Sequence, residues 1–276
     1  MDLYTDKGET TMQDTSPKNE TPSDIRLAIR SGEVTSVTSG LAEGYVQANV
    51  VILPKALSFD FLLFCQRNPK PCPILEVIEA GQFAPNLTCS AADIRYDVPL
   101  YNIYRNGTLS ETCRSIEHVW SDDLVSFLIG CSFSFENALK QANIPLRHQE
   151  MKCNVPMYKT SIPTVTAGIF SGPLVVSMRP IKRSHISKAV QVTSRFPDTH
   201  GAPIHVGSPN TIGITDLGSP DYGDPVTIFD DEEPVFWACG VTPQAAAIVS
   251  HPNLMITHAP GHMLITDKTD TDFSIF

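Results

Sequence analysis

The sequence predicts a mixed α/β fold with short strands, interleaved helices and mixed sheets, and three observations carry that prediction. Short β-branched runs alternate with segments of helical spacing along the chain. The 22 prolines are spread throughout, so every element must be short. The 276 residues are 42% hydrophobic and 18% charged, enough to bury one large core or two closely packed lobes. Strand order does not follow from the sequence.

Residues 1 to about 22 are rich in Thr, Asp, Glu, Lys and Ser. They are too polar to bury much surface, and a disordered lead is expected. A single compact domain is expected over residues 23–276, as one body or two packed lobes. Ser23 is placed to cap a first helix through Ile25, Leu27 and Ile29 to Gly32. Tyr45 to Leu53 is a β-branched run stopped by Pro54 and reads as a strand. Ser58 to Gln66 has helical spacing and ends before Asn68-Pro69. Ile74 to Ile78 reads as a short buried strand. Leu100 to Arg105 runs into Asn106-Gly107, the signature of a tight hairpin turn. Ser121-Asp122-Asp123 is read as the cap of a helix over Leu124 to Ile129, resuming after Gly130-Cys131-Ser132 as Phe135 to Gln141.

The second half alternates Gly/Pro turns with short runs. Leu174 to Met178, Pro203 to Val206, Val226 to Phe229, Val235 to Cys239, Leu254 to Thr257 and Met263 to Thr266 are expected strands. Ser184 to Arg195 and Pro243 to Ser250 are expected helices, the latter with Thr242 as cap and Pro243 at its first position.

Net charge is −10 and no basic run is present, which argues against nucleic-acid binding. No apolar stretch approaches the roughly 20 residues of a membrane span, so no membrane partner is expected. The N-terminus lacks an apolar signal core. Seven cysteines without a CxxC pair suit reduced thiols and a cytoplasmic location.

Candidate chemistry centres on two windows, His200-Gly-Ala-Pro-Ile-His205 and His258-Ala-Pro-Gly-His262, which hold four of the eight histidines. Prolines inside both spacings exclude a shared helix, so the histidines are expected on neighbouring loops, with at least one of each pair facing a common cleft. His200, His205, His258 and His262 are candidate acids and bases. Cys131 and Ser132, near a helix start, and Cys239 with Thr242, at a strand-to-helix corner, are candidate polar or anion contacts. Arg179 and Arg195 are read as lying at element ends, able to grip a carboxylate with two parallel bonds. The acids Asp216, Asp221 and Asp224 lack calcium-loop spacing and suit turns.

Longer strings are more specific. They include Phe61-Leu-Leu-Phe-Cys-Gln-Arg-Asn-Pro-Lys-Pro-Cys-Pro73, Asn154-Val-Pro-Met-Tyr158, Gly172-Pro-Leu-Val-Val-Ser-Met-Arg-Pro180 and Val235-Phe-Trp-Ala-Cys-Gly-Val-Thr-Pro-Gln244. With both histidine windows, they resemble the hydro-lyase family of bacteria and fungi, whose relatives include the D-glutamate cyclase domain of animal mitochondria. The resemblance spans roughly residues 24 to 267 and implies loss of water from a small carboxylic or amino acid. D-glutamate cyclisation to 5-oxo-D-proline is the sharpest form of that expectation. Arg179, Arg195, Asn154, Ser132 and Thr242 are the expected substrate contacts, with the histidines, Cys131 and Cys239 in catalytic roles. No cofactor is identified, and the histidines would also suit a divalent metal acting as Lewis acid. Two other functions fit the same parts: a lactam or amide hydrolase acting on 5-oxoproline-like rings, and a non-enzymatic protein binding a small carboxylate. Homo-oligomerisation is left open.

Overall fold

In a computed structural model, which describes residues 21–275, helices and strands are interleaved, as the sequence predicts, but the strand pairings are antiparallel throughout rather than mixed. The expected disordered lead lies outside the described residues, apart from residues 21 and 22 at its end. Thr21, not Ser23, caps the first helix, α1 (Pro22–Ser31): its side chain accepts from Asp24 N–H while Asp24 answers the Thr21 N–H.

The larger sheet holds β1 (Tyr45–Pro54), β2 (Ile74–Ile78), β3 (Tyr101–Arg105), β4 (Thr108–Cys113), β5 (Leu124–Gly130), β10 (Met255–His258) and β11 (Leu264–Thr269). Its path is β2-β5-β1-β10-β3-β4, with β11 also paired to β1. β5 occupies one edge of β1 along its length, so β10 and β11 share the other, β11 at residues 45–48 and β10 at residues 51–52. The smaller sheet runs β6-β7-β9-β8, with β6 (Met157–Pro163), β7 (Pro173–Lys182), β8 (His205–Val206) and β9 (Glu232–Ala238).

Four expectations are corrected. Residues 124–129 form a strand, not a helix. β5 is buried at every position between β2 and β1, so its sequence is apolar on both faces, broken only by Ser126, and shows no alternation. Ser121 and Asp123 close the turn before it rather than a helix start. Val226 to Phe229 is irregular, and its apolar side chains cover the outer face of the smaller sheet. Thr242 does not cap its helix: it opens α6 (Thr242–Ser250), accepts from Val175 N–H and donates to the Cys239 carbonyl.

Two further helices flank the sheets: α2 (Lys55–Arg67), with Phe61 and Phe64 inside, and α5 (Ile186–Ser194). Between them fall the short α3 (Glu136–Gln141) and α4 (Arg147–Glu150). One core layer lies on each face of the larger sheet. In the smaller sheet, Ser177, Arg179, Val235 and Trp237 share one face, while Val176, Met178, Phe236 and Ala238 share the other. No described helix is long and apolar enough to cross a membrane.

Candidate functional site

The chain makes two similar corners. β5 ends at Gly130 and passes through Cys131-Ser132 into a 3-10 turn leading to α3; β9 ends at Ala238 and passes through Cys239-Gly240-Val241 into α6. At each corner the cysteine sulfur accepts the N–H two residues on, from Phe133 at 3.5 Å and from Val241. Asn49, on β1, joins them: its side-chain amide donates to the Ile129 and Gly130 carbonyls, and its Oδ1 has no partner among the described residues. Both glycines are dictated by contact. A Cβ at Gly130 would run into the Asp198 carbonyl, and one at Gly240 into the Asn49 amide.

The Asp198 contact brings the 3-10 turn Pro197–Thr199 against β5, and His200 ends that turn. His200 is held at φ 80°, in the left-handed region, where a residue with a Cβ is disfavoured by roughly 1–2 kcal/mol. Such backbone strain concentrates at functional sites. The residue is 1% exposed. Its Nδ1 lies 2.8 Å from the Lys70 carbonyl, which can only accept; Nδ1 therefore carries the proton, and Nε2 presents a lone pair. That Nε2 has no partner among the described residues. Burial pulls the ring down to about 4, with the Lys70 charge in the same direction, so it is neutral at physiological pH.

Beside His200 lies a cavity of about 590 Å³, between the end of α2, the start of β2 and the 197–202 segment. Lys70, Cys65, Cys72, Ser194, Asp198 and His200 are among its lining residues. Lys70 sits between Pro69 and Pro71, which fix the backbone on either side. Burial lowers its ammonium. A half-buried cation and a buried histidine, whose Nε2 has no hydrogen bond among the described residues, thus line one cavity. Lys70 was missed by the sequence reading, although a lysine clamped between two prolines is a visible signal.

The other predicted histidines are not brought to this cavity. His205 pairs with Phe236, which puts it on the outer face of the smaller sheet, against that ring and the Ser208 carbonyl. His258 lies in the larger sheet, where β1 passes from β10 to β11. Its Nδ1 is 3.1 Å from the Val50 nitrogen and 3.3 Å from the Val50 carbonyl, filling a missing ladder rung. Burial lowers it to about 4 as well, and its Nε2 has no partner among the described residues. His262 is half-buried in the 259–262 turn and bonds the Pro260 carbonyl. The expectation that each window puts at least one histidine into a common cleft is not met at this cavity, which His200 alone of the four lines.

Arg179 is also corrected. It lies inside β7 rather than at an element end, because the strand runs on to Lys182. It is fully buried, and Glu136 occupies the guanidinium fork, accepting from both Nε and Nη2, while Ser177 and Ser132 accept from Nη1 and Nη2. Four of its five donors are thus taken, and a two-pronged grip on a substrate carboxylate is not available. His148 Nε2 approaches Glu136 at 3.1 Å. Burial pushes the Glu136 carboxyl up, but His148 and Arg179 overcome it and hold the group down at about 2. Arg195 is exposed at the end of α5 with a bond to Ser274, and it is not among the residues that line the cavity.

Cys131 and Cys239 are free, buried and electrostatically near each other. Burial raises both thiols, Cys239 to about 11 and Cys131 further, so neither is a thiolate at neutral pH. Asn154 is buried, donates to the Pro260 carbonyl and leaves its Oδ1 unpartnered among the described residues. Among the described residues, the group of three ligands close enough to share a metal ion is Glu111, Cys113 and His118, which includes none of the four predicted histidines.

A family model for D-glutamate cyclase matches residues 125–267, a span that takes in both corners, Arg179 and His200. The chain belongs to this family. A relative from Geobacillus kaustophilus is 58% identical over 91% of this chain and 96% of its own length. One from Corynebacterium urealyticum is 58% identical over 95% and 99%, and one from Bacillus subtilis 57% identical over 92% and 99%. Each carries the name "Putative hydro-lyase". Membership makes the chain an enzyme of the lyase class. A solved structure of a nitrogen repressor-like protein from Methanococcus jannaschii aligns over 91% of this chain at a TM-score of 0.38 and 10% identity.

Proposed function

We propose that the cavity binds glutamate and that the enzyme closes it to 5-oxoproline with loss of water, the D enantiomer being its substrate. The observation that carries this reading is that Lys70 and His200 line one cavity, His200 having a buried Nε2 with no hydrogen bond among the described residues. The volume, about 590 Å³, suits a small amino acid and its closing chain. The family description supplies the D enantiomer.

In this reading the Lys70 ammonium pairs with the α-carboxylate of the substrate and offsets the overall −10 charge. His200 Nε2 accepts an N–H of the substrate ammonium. Substrate anionic charge raises His200 from its low value and makes it a better base. The amine nitrogen attacks the γ-carboxyl carbon, a C–N bond forms, and one C–O bond breaks. Two protons leave nitrogen and depart with the expelled oxygen as water, so His200 serves as base and then as acid. Cys131 and Cys239 stay protonated and shape the interior. The seven free cysteines suit the cytoplasmic location expected from the sequence.

The test is direct. Purified protein is incubated with D- and L-glutamate, with and without chelator, and 5-oxoproline is followed by NMR. Product from D-glutamate, lost in Lys70→Met and in His200→Gln, is expected. Folded wild-type protein that forms no product from either enantiomer, and opens no 5-oxoproline in reverse, overturns the reading.

A further inference from the structure

The geometry points to a divalent-metal site of the zinc class on the outer edge of the larger sheet, formed by Glu111, Cys113 and His118. It stands apart from the cavity and does not depend on the function proposed for it.

β4 is the edge strand of that sheet. Glu111 and Cys113 lie two residues apart on it, so their side chains leave the same face. After Cys113 the chain turns back across that face. Ile116 donates its N–H to the Arg95 carbonyl and buries its side chain, and Val119 and Trp120 pack on the same core. The 3-10 turn Glu117–Val119 between these anchors carries His118 back toward β4. As a result, one ligand atom from each of Glu111, Cys113 and His118 lies within 4.8 Å of the others. His118 Nε2 stands 3.1 Å from Glu111 Oε1 and 3.2 Å from Oε2.

The donor set selects the ion. One sulfur, one imidazole nitrogen and one carboxylate oxygen suit zinc or its cobalt substitute; magnesium and calcium prefer oxygen alone. Zinc bonds of about 2.3 Å to sulfur and 2.0–2.1 Å to nitrogen place ligand atoms roughly 3.5 Å apart, so a modest contraction closes the site. Glu111 and His118 side chains are 44% and 51% exposed and are free to make that adjustment. Three protein ligands leave the fourth position to water. Binding would clip the 114–120 segment onto the edge strand it covers.

The test uses the whole protein, stripped with chelator and titrated with Co²⁺, then with Zn²⁺ in competition. One equivalent of Co²⁺ should produce a thiolate-to-cobalt absorption band, which Zn²⁺ then removes. Cys113→Ser should abolish the band, and His118→Gln and Glu111→Gln should each weaken binding at least about tenfold. Cys153→Ser, at the other incompletely buried cysteine, should leave the band unchanged. Both His118 and Glu111 are exposed, so those variants fold normally. No thiolate band at saturating Co²⁺, or the same band in Cys113→Ser, overturns the assignment.

Discussion

Replacing Glu136 with Gln should cost the fold about 3 kcal/mol at neutral pH and flatten its acid limb. The carboxyl ordinarily titrates at 4.5 and here at about 2, held down by Arg179 and His148. At about 1.4 kcal/mol per pH unit, that gap corresponds to about 3 kcal/mol of stability. A folded value below the unfolded one means this contribution is present above pH 4.5 and lost as pH falls toward 2. An independent estimate agrees: removing one member of a buried ion pair costs about 3–5 kcal/mol, because the partner is left charged and unpaired. Gln keeps the size and one acceptor but leaves the fully buried Arg179 without a counter-charge. The assay is urea unfolding of wild type and Glu136→Gln at pH 7 and at several values between pH 4.5 and 2. The difference should be about 3 kcal/mol at pH 7 and shrink toward the acid end. A loss under about 1 kcal/mol at pH 7, or a constant difference down to pH 2, would refute the reasoning.

Three more outcomes follow from the same structure. His200 and His258 are buried as neutral rings at about 4, so they contribute stability above pH 6.5 that is lost as pH falls toward 4; thermal midpoints should drop across that window, and less steeply in His258→Gln. Gly130→Ala should destabilise by about 1–3 kcal/mol, because its Cβ meets the Asp198 carbonyl, and should lower activity by shifting His200; unchanged unfolding and activity would contradict this. Cys131→Ala and Cys239→Ala should keep turnover, since both thiols are protonated, and a trapped thioester in wild type would contradict it.

How much was legible follows the physics of each segment. The hairpin at Asn106-Gly107 was readable because both residues adopt positive φ, at 50° and 75°, and their types announce it. β5 was misread because a strand buried on both faces has lost the alternation that separates strand from helix. β6 was missed because its pattern mixes polar and apolar residues without a clear period. His200 was singled out by composition, since its window is dense in Gly, Pro and His. Composition could not separate it from His205, whose place on the outer face is set by pairing with β9. Arg179 looked like a ligand clamp because its partner, Glu136, lies 43 residues away in sequence. Lys70 was overlooked because it gains meaning only when the 197–202 segment closes the cavity over it.

In the function proposed above, Lys70 and His200 together hold the reacting amino acid. A crystal structure with 5-oxo-D-proline or D-glutamate bound tests it most directly. The ligand should sit in the cavity beside α2, with its carboxylate on Lys70 Nζ and its nitrogen facing His200 Nε2. A ligand seated elsewhere, for example between Cys131 and Cys239 with Lys70 and His200 untouched, would contradict it.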